Sequence, residues 1–213
     1  MSLSVTVIDY GSGNLLSVTR AFERCGATTI VTQDPAVIAN AERLVLPGVG
    51  AFADGMQGLR EHGLIDPILR YASSGRPLLG ICLGMQMLAT ASVEFGEHEG
   101  LGLIAGRVVP LPTRSIKGSV LKIPHVGWSP LVRVDHGDWV GSPLEELACD
   151  SAVYLVHSYH VVPDEPADLL AQYDYGGHSI TAAIQSGHII GCQFHPEKSG
   201  EVGLAILTRF LRL

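Results

Sequence analysis

The chain has 213 residues, enough for one substantial core and slightly short for two, and we read it as a single domain over residues 1–213. Apolar residues make up 46% and charged residues 16%, which excludes a disordered or solvated tail, and a net charge of -7 argues against nucleic acid or an anionic membrane as the main partner. Residues 1–9 have no basic start and reach Asp9 before any apolar stretch is long enough for a signal peptide. The longest apolar region, 77–91, is broken by Gly80, Gly84 and Gln86 and falls short of a membrane span of about 20 residues. Cys25, Cys82, Cys149 and Cys192 are scattered without pairing motifs, which fits a reduced compartment. These properties together predict a soluble cytoplasmic protein whose partners are small molecules and proteins.

In chain order, residues 3–8 form a short β-branched run, and Leu15, Leu16, Val18, Thr19, Phe22 and Cys25 then recur at helical spacing until Gly26. Residues 28–32 read as a strand, Asp34-Pro35 as a helix cap, and 43–46 as a strand ending at Pro47. Helical periods cover 54–62 and 66–73, with Asp66-Pro67 repeating the cap signal, followed by a strand over 77–81 and a helix over 83–91. Strands alternating with helices imply right-handed crossovers and a central parallel sheet. Past about residue 100 the texture turns strand-like, over 106–110, 120–123, 154–157, 169–173, 180–184 and 189–194, and a last helix is predicted over 201–213. The expected fold is an α/β three-layer open sheet, mostly parallel, with a mixed or antiparallel extension in the second half.

The chemistry concentrates at two places. Gly80-Ile81-Cys82-Leu83-Gly84 puts a cysteine where a Gly-x-Ser-x-Gly hydrolase carries its serine, at a strand-to-helix turn where small flanking residues make room for the exposed side chain. The start of the following helix brings partial positive charge and free N–H groups beside the sulfur. A buried core cysteine is the ordinary fate of such a residue in an α/β protein. Downstream, His195-Pro196-Glu197 follows an apolar run, at the kind of strand end where parallel sheets keep their active sites. A turn through Pro196 lets Glu197 reach the far nitrogen of His195 and set its tautomer. His-Pro-Glu alone describes a surface turn; with Cys82 it completes a nucleophile, a base and an orienting carboxylate.

Pro77-Leu78-Leu79-Gly80-Ile81-Cys82-Leu83-Gly84-Met85-Gln86 together with Phe194-His195-Pro196-Glu197 resembles the triad (class I) glutamine amidotransferases. Within that family, Asp9-Tyr10-Gly11-Ser12-Gly13-Asn14-Leu15, Leu46-Pro47-Gly48-Val49-Gly50, Pro124-His125-Val126-Gly127-Trp128, His157-Ser158-Tyr159 and His195-Pro196-Glu197-Lys198-Ser199 resemble the glutaminase subunits of imidazole glycerol phosphate synthases, in order over nearly the whole chain. The resemblance implies a glutaminase in which Cys82 attacks the side-chain amide of glutamine, His195 moves the protons and Glu197 orients His195. It implies a heterodimer with a cyclase subunit, a β/α barrel that uses the ammonia in histidine biosynthesis. A neighbouring reading is the glutaminase subunit of pyridoxal phosphate synthase, disfavoured by residues 9–14, and a reading from another class is a non-catalytic partner-binding protein of the same fold.

Backbone N–H groups of Leu83 and of Val49 or Gly50 then form the expected oxyanion hole, in which one donor is worth about 3 kcal/mol. In similar synthases the loop carrying Val49 needs partner and ligand signals, so the isolated chain is expected to be a weak glutaminase. By the same resemblance Gly48, Gln86, Glu94, His157 and Ser158 hold glutamine, with Glu94 suited to its α-ammonium, and Asn14, Trp128, Tyr154 and Lys198 face the partner. Ordinary alternatives are a solvated acid for Glu94, a core residue for Trp128 and an exposed surface residue for Lys198. Gly11-Ser12-Gly13-Asn14 lacks the third glycine of a dinucleotide fingerprint and the lysine of a P-loop, so no nucleotide is expected. Cys192-x-x-His195 and His157-x-x-His160 have no second halves, so no metal is expected, and no cofactor of any kind. The chain departs from the family after Trp128, where Ser129-Pro130 leads into a longer stretch containing Asp135-His136-Gly137-Asp138-Trp139 and Cys149, read as a surface loop.

Overall fold

The computed structural model describes residues 3–134, 139–148 and 150–213. Asp135 to Asp138 and Cys149, part of the longer stretch singled out above, lie outside the described residues, as do Met1 and Ser2. The first half follows the expected alternation: β1 (Leu3–Ile8), α1 (Leu15–Arg24), β2 (Ala27–Thr32), α2 (Pro35–Ala39), β3 (Leu44–Gly48), α3 (Phe52–Glu61), α4 (Ile65–Ala72), β4 (Leu78–Cys82) and α5 (Leu83–Leu88). The second half holds β5 (Ala89–Ser92), β6 (His98–Glu99), β7 (Ile104–Pro110), β8 (His125–Pro130), β9 (Val132–Arg133), β10 (Ala152–His157), β11 (Tyr159–Pro163), β12 (Leu169–Tyr175), β13 (His178–Ser186), β14 (Ile189–Cys192) and α6 (Gly200–Phe210).

Eight strands form the central sheet in the order β2-β1-β3-β4-β14-β13-β12-β9, parallel from β2 to β14 and antiparallel beyond. Alternation along each strand sends side chains to two cores. Val5, Val7, Val45, Leu79 and Ile81 pack with Val18, Ala21 and Phe22 of α1 and Ile206, Leu207 and Phe210 of α6. Ile8, Leu44, Leu46 and Leu78 pack with Phe52, Met56 and Leu59 of α3 and Ile68 and Tyr71 of α4. Helices therefore cover both faces, which gives the three layers. Among the described residues no helix is long and apolar enough to cross a membrane.

The second half extends the central sheet as expected, and it also builds two sheets that the sequence did not announce, β11-β7-β5-β6 and the pair β10-β8. Pairing, more than propensity, explains the differences. The helix expected over 83–91 stops at Leu88, because Ala89 to Ser92 pairs in parallel with β7 and antiparallel with β6. Residues 120–123, with β-branched Val120 and Ile123, form no strand; they make an isolated bridge, Arg114 with Val120, and a hydrogen bond from Leu121 N to Thr113 O at 2.9 Å. Pro47 lies inside β3 instead of ending it: the ladder to β1 has stopped at Val45, and β3 continues along β4 to Gly48 opposite Cys82. Asp34 caps α2 as expected, accepting from Ala36 N at 2.8 Å, whereas Asp66 sits in the first turn of α4 with Leu64 as the cap residue.

The longer stretch after Trp128 is not a surface loop where it is described. Trp139, Leu144 and Leu147 are buried in the α1/α6 core, and Trp139 Nε1 donates to Leu170 O at 3.0 Å. Arg133 lies over the Trp139 ring, and Arg209 of α6 pairs with Glu145.

Candidate active site

Strands β1, β3, β4 and β14 run parallel and end at the same edge of the sheet, with Gly48 opposite Cys82 and Cys192 opposite Ile81. The segments that follow them carry the Gly11 to Asn14 loop, Val49 and Gly50, the Cys82 turn and the His195 turn. Cys82 has φ 54 and ψ -109, a left-handed backbone that a residue with a Cβ adopts only under constraint. The constraint is visible in its neighbours. A Cβ on Gly80 would stand 2.8 Å from Gly84 backbone atoms, and one on Gly84 would overlap the Leu46 carbonyl oxygen. The Cys82 side chain thus emerges at the top of the sheet, 8% exposed, with Leu83 beginning α5 beside it. The N–H groups of a helix's first turn have no partner within the helix, so the Leu83 N–H is open to a ligand.

Cys82, Leu83, Val49, Gly50, Gln86, Glu94, His157, Ser158 and His195 line one cavity of about 270 Å³, completed by Pro124, Val156 and Tyr159. Gly48 lies behind it, where a Cβ would overlap the Tyr10 hydroxyl and stand 2.9 Å from Leu83 Cβ and 3.1 Å from Gly84 N, so only a glycine lets the loop close against the nucleophile turn. Ser12 Oγ donates to Val49 O at 2.8 Å, which ties this loop to the loop after β1.

His195 Nδ1 lies 2.8 Å from Glu197 Oε1, both side chains being almost wholly buried. With Nδ1 bound to the carboxylate, Nε2 is left as the working nitrogen, and it is buried with no hydrogen-bond partner among the described residues. Burial opposes a charge on the ring, but interactions with Cys82 and Glu197 outweigh it and raise the His195 pKa to about 9. The base is therefore poised as an imidazolium that can give a proton away. Cys192 nearby is a core thiol, bonded to Gly80 O and pushed up by burial.

His157 is a different histidine. Burial lowers its pKa to about 3, so the ring is neutral, Nδ1–H donates to Tyr159 O at 2.8 Å and Nε2 accepts from Tyr173 Oη–H at 2.8 Å. Both ring nitrogens are engaged within the protein, and His157 meets the cavity as a wall. Glu94 Oε2 accepts from Phe52 N at 2.6 Å, at the start of α3, whose cap residue Ala51 has no side-chain bond of its own. This leaves Oε1 for a ligand. Gln86 Nε2 is held by Tyr159 O and Gln193 Oε1, both at 3.0 Å.

Asn14, Trp128, Tyr154 and Lys198 lie outside the cavity. Asn14 caps α1, accepting from Ser17 N at 3.3 Å. Trp128 is 55% exposed, opposite Tyr154 in the β8–β10 ladder and edge-on to its ring. Tyr154 O accepts from His195 N at 2.9 Å, and Ser199 Oγ accepts from Tyr154 N at 3.0 Å while donating to His195 O at 2.7 Å. Lys198 is exposed on the short turn between them. Two residues with structural reach into the site were not singled out by the sequence reading: Ser199, hidden in a motif quoted as a whole, and Gln193, whose signal is a polar residue inside an apolar run two positions before His195.

Comparison with known proteins agrees with this geometry. The family description "Glutamine amidotransferase class-I" matches residues 6–212. The chain is 52% identical over 211 residues, 99% of each chain, to the imidazole glycerol phosphate synthase subunit HisH 1 of Legionella pneumophila (strain Lens). It is 49% identical over 210 residues, 97% of this chain and 98% of the relative, to the imidazole glycerol phosphate synthase subunit HisH of Syntrophotalea carbinolica. Among solved structures, a chain in the structure of PurLQS from Thermotoga maritima superposes with a TM-score of 0.73 at 20% identity, covering 100% of this chain and 99% of that one, a likeness of fold. A cysteine at a strained strand-to-helix turn, facing a carboxylate-held imidazolium, is thus met with a family match over almost the full length, and the chain belongs to the class-I glutamine amidotransferases.

Proposed function

We propose that the chain is the glutaminase subunit of an imidazole glycerol phosphate synthase, hydrolysing glutamine and passing ammonia to a cyclase subunit in a heterodimer. The observation that carries the chemistry is the convergence of Cys82, the His195–Glu197 pair and the backbone of Leu83, Val49 and Gly50 on one cavity. The relatives' names carry the choice of acceptor. Cys82 Sγ attacks the side-chain carbonyl carbon of glutamine, and the carbonyl electron pair moves onto an oxygen held by the N–H of Leu83 and that of Val49 or Gly50. Collapse breaks the C–N bond, His195 Nε2 gives its proton to the departing nitrogen, and a thioester remains. Water then attacks the thioester, His195 takes the water's proton, and the sulfur leaves to free glutamate.

Gln86, Glu94, His157 and Ser158 line the pocket that takes the amino-acid part of the substrate, with Gly48 behind it, and Glu94 Oε1 accepts from the α-ammonium. Trp128, Tyr154, Lys198 and Asn14 form the face that meets the cyclase, a β/α barrel; the exposed Trp128 ring supports that reading. The free thiols of Cys25, Cys82 and Cys192 support a cytoplasmic protein, and the family match through residue 212 supports a single domain.

Glutamate release by the purified chain, alone and with the cyclase and its ribulotide ligand, tests the assignment. Weak activity alone and strong stimulation by both are expected, and brisk activity unchanged by the cyclase would assign a different acceptor enzyme. Cys82→Ala is expected to abolish glutamine-dependent synthesis by the complex and to leave ammonia-dependent synthesis largely intact; loss of both would overturn ammonia channelling.

A further inference from the structure

Gln193 follows β14 with its backbone N–H still bonded to Ala182 O at 2.8 Å, and it is 0% exposed. Its side-chain amide bridges two groups: Oε1 accepts from Gln86 Nε2 at 3.0 Å, and Nε2 lies 3.6 Å from Cys82 Sγ. The two ends of that amide are not interchangeable. Tyr159 O, 3.0 Å from Gln86 Nε2, can only accept, so Gln86 must turn its N–H₂ toward both Tyr159 and Gln193. Gln193 must answer with its oxygen, and its N–H₂ is then directed at the sulfur. A main-chain carbonyl at the start of β11 thereby fixes, through two amides, the polarity of what Cys82 meets.

We propose that Gln193 is a catalytic residue of the glutaminase, donating a hydrogen bond from Nε2 to the Cys82 sulfur, and that Gln86 is the positioning residue that orients it. This rests on the thioester chemistry proposed above. Sulfur carries negative charge before it attacks the amide, and again when the thioester C–S bond breaks and the electron pair returns to it. His195 holds its proton in one half of the cycle and releases it in the other, whereas Gln193 keeps its N–H through both. A hydrogen bond from a buried donor to a charged acceptor is among the stronger ones a protein makes.

The test is the rate at which iodoacetamide alkylates Cys82, followed by mass spectrometry as a function of pH on the full chain without glutamine. Gln193→Met keeps length and volume and removes the donor. It is expected to slow alkylation about tenfold at neutral pH, to move the profile about one unit to higher pH, and to lower kcat more than it changes KM. Gln86→Met, which leaves Gln193 in place but unaligned, is expected to move the profile in the same direction by less, a change that a role in substrate contact alone would not produce. A Gln193→Met profile that superimposes on the parent overturns the proposal. Should that variant not fold, an unmoved Gln86→Met profile overturns it instead. Parent protein that is alkylated at Cys82 yet releases no glutamate in any mixture would remove the glutaminase reading while leaving the hydrogen bond to sulfur measurable.

Discussion

The turn at Cys82 and the loop at Val49 face the same cavity but are held in different ways. Around Cys82 the backbone is locked by contact: Gly80 and Gly84 are buried against neighbouring main chain with no space for a Cβ, and the cysteine itself sits in the left-handed region. Past Gly48 the restraint falls away. Val49 is 43% exposed, Gly50 has open space where a side chain would be, and Ser12 supplies the described side-chain hydrogen bond to this loop. The nucleophile's place is thus fixed by packing, and that of the loop proposed to supply the oxyanion donor by a polar contact from the loop after β1. One part of the machinery is built when the chain folds; the other can be set afterwards at low cost.

The largest test of that difference is Gly84→Ala. The new methyl would overlap Leu46 O between two buried elements, and a loss of more than about 4 kcal/mol in urea denaturation is expected, with activity lost alongside; a near-parental midpoint would mean the turn is looser than its contacts imply. Glu197→Gln is expected to lower kcat on the order of 10³-fold, less than Cys82→Ala, because it misorients the base without removing the nucleophile. Equal steady-state losses would contradict that ranking.

The pH dependence tests the electrostatic half of the site. The His195 pKa stands raised from 6.5 to about 9, so the folded protein favours the protonated ring. Stability from that charged form is complete below about 6.5 and is lost as pH rises through about 9. Glutamine turnover is expected to fall along an alkaline limb near the same pH, since a neutral ring cannot protonate the departing nitrogen; turnover still rising at pH 10 would refute this. The smallest effect is expected from Ser12→Ala. Loss of one hydrogen bond should cost about 1 kcal/mol of stability and leave alkylation of Cys82 unchanged, because the packing that holds the sulfur does not involve Ser12. A slowed alkylation would show the two regions to be coupled more tightly than their contacts suggest.

The parallel half of the sheet was legible because most of its strands are short apolar runs closed by glycine, proline or a cap, and they alternate with helices along the sequence. The catalytic trio was legible for a related reason: Cys82 and His195-Pro196-Glu197 are local signals at strand ends. What failed depended on distant partners. Residues 89–92 have helical composition and become a strand only because β6 and β7 lie alongside. Residues 120–123 have strand composition and find no ladder. Trp139 sits in a polar-looking stretch whose core role requires Leu170 and Arg133 to be in place. Gln86, carried over by resemblance as a substrate contact, also has two partners far along the chain that no local signal announced, Tyr159 O and Gln193 Oε1.

The hydroxyl of Ser199 joins the backbone of Tyr154 to that of His195, and His195 N–H returns to Tyr154 O. Strand β10 therefore has two fastened edges, Trp128 and its ladder on one side and the base-bearing turn on the other. On the proposed assignment of Tyr154 to the partner face, a partner that shifts Tyr154 pulls on the His195 backbone through these three hydrogen bonds, and a substrate that draws His195 toward the sulfur pulls on Tyr154 in return. Linked equilibria require the two effects to be equal in free energy. However much the partner improves glutamine binding through this clasp, glutamine must tighten the grip on the partner by the same factor.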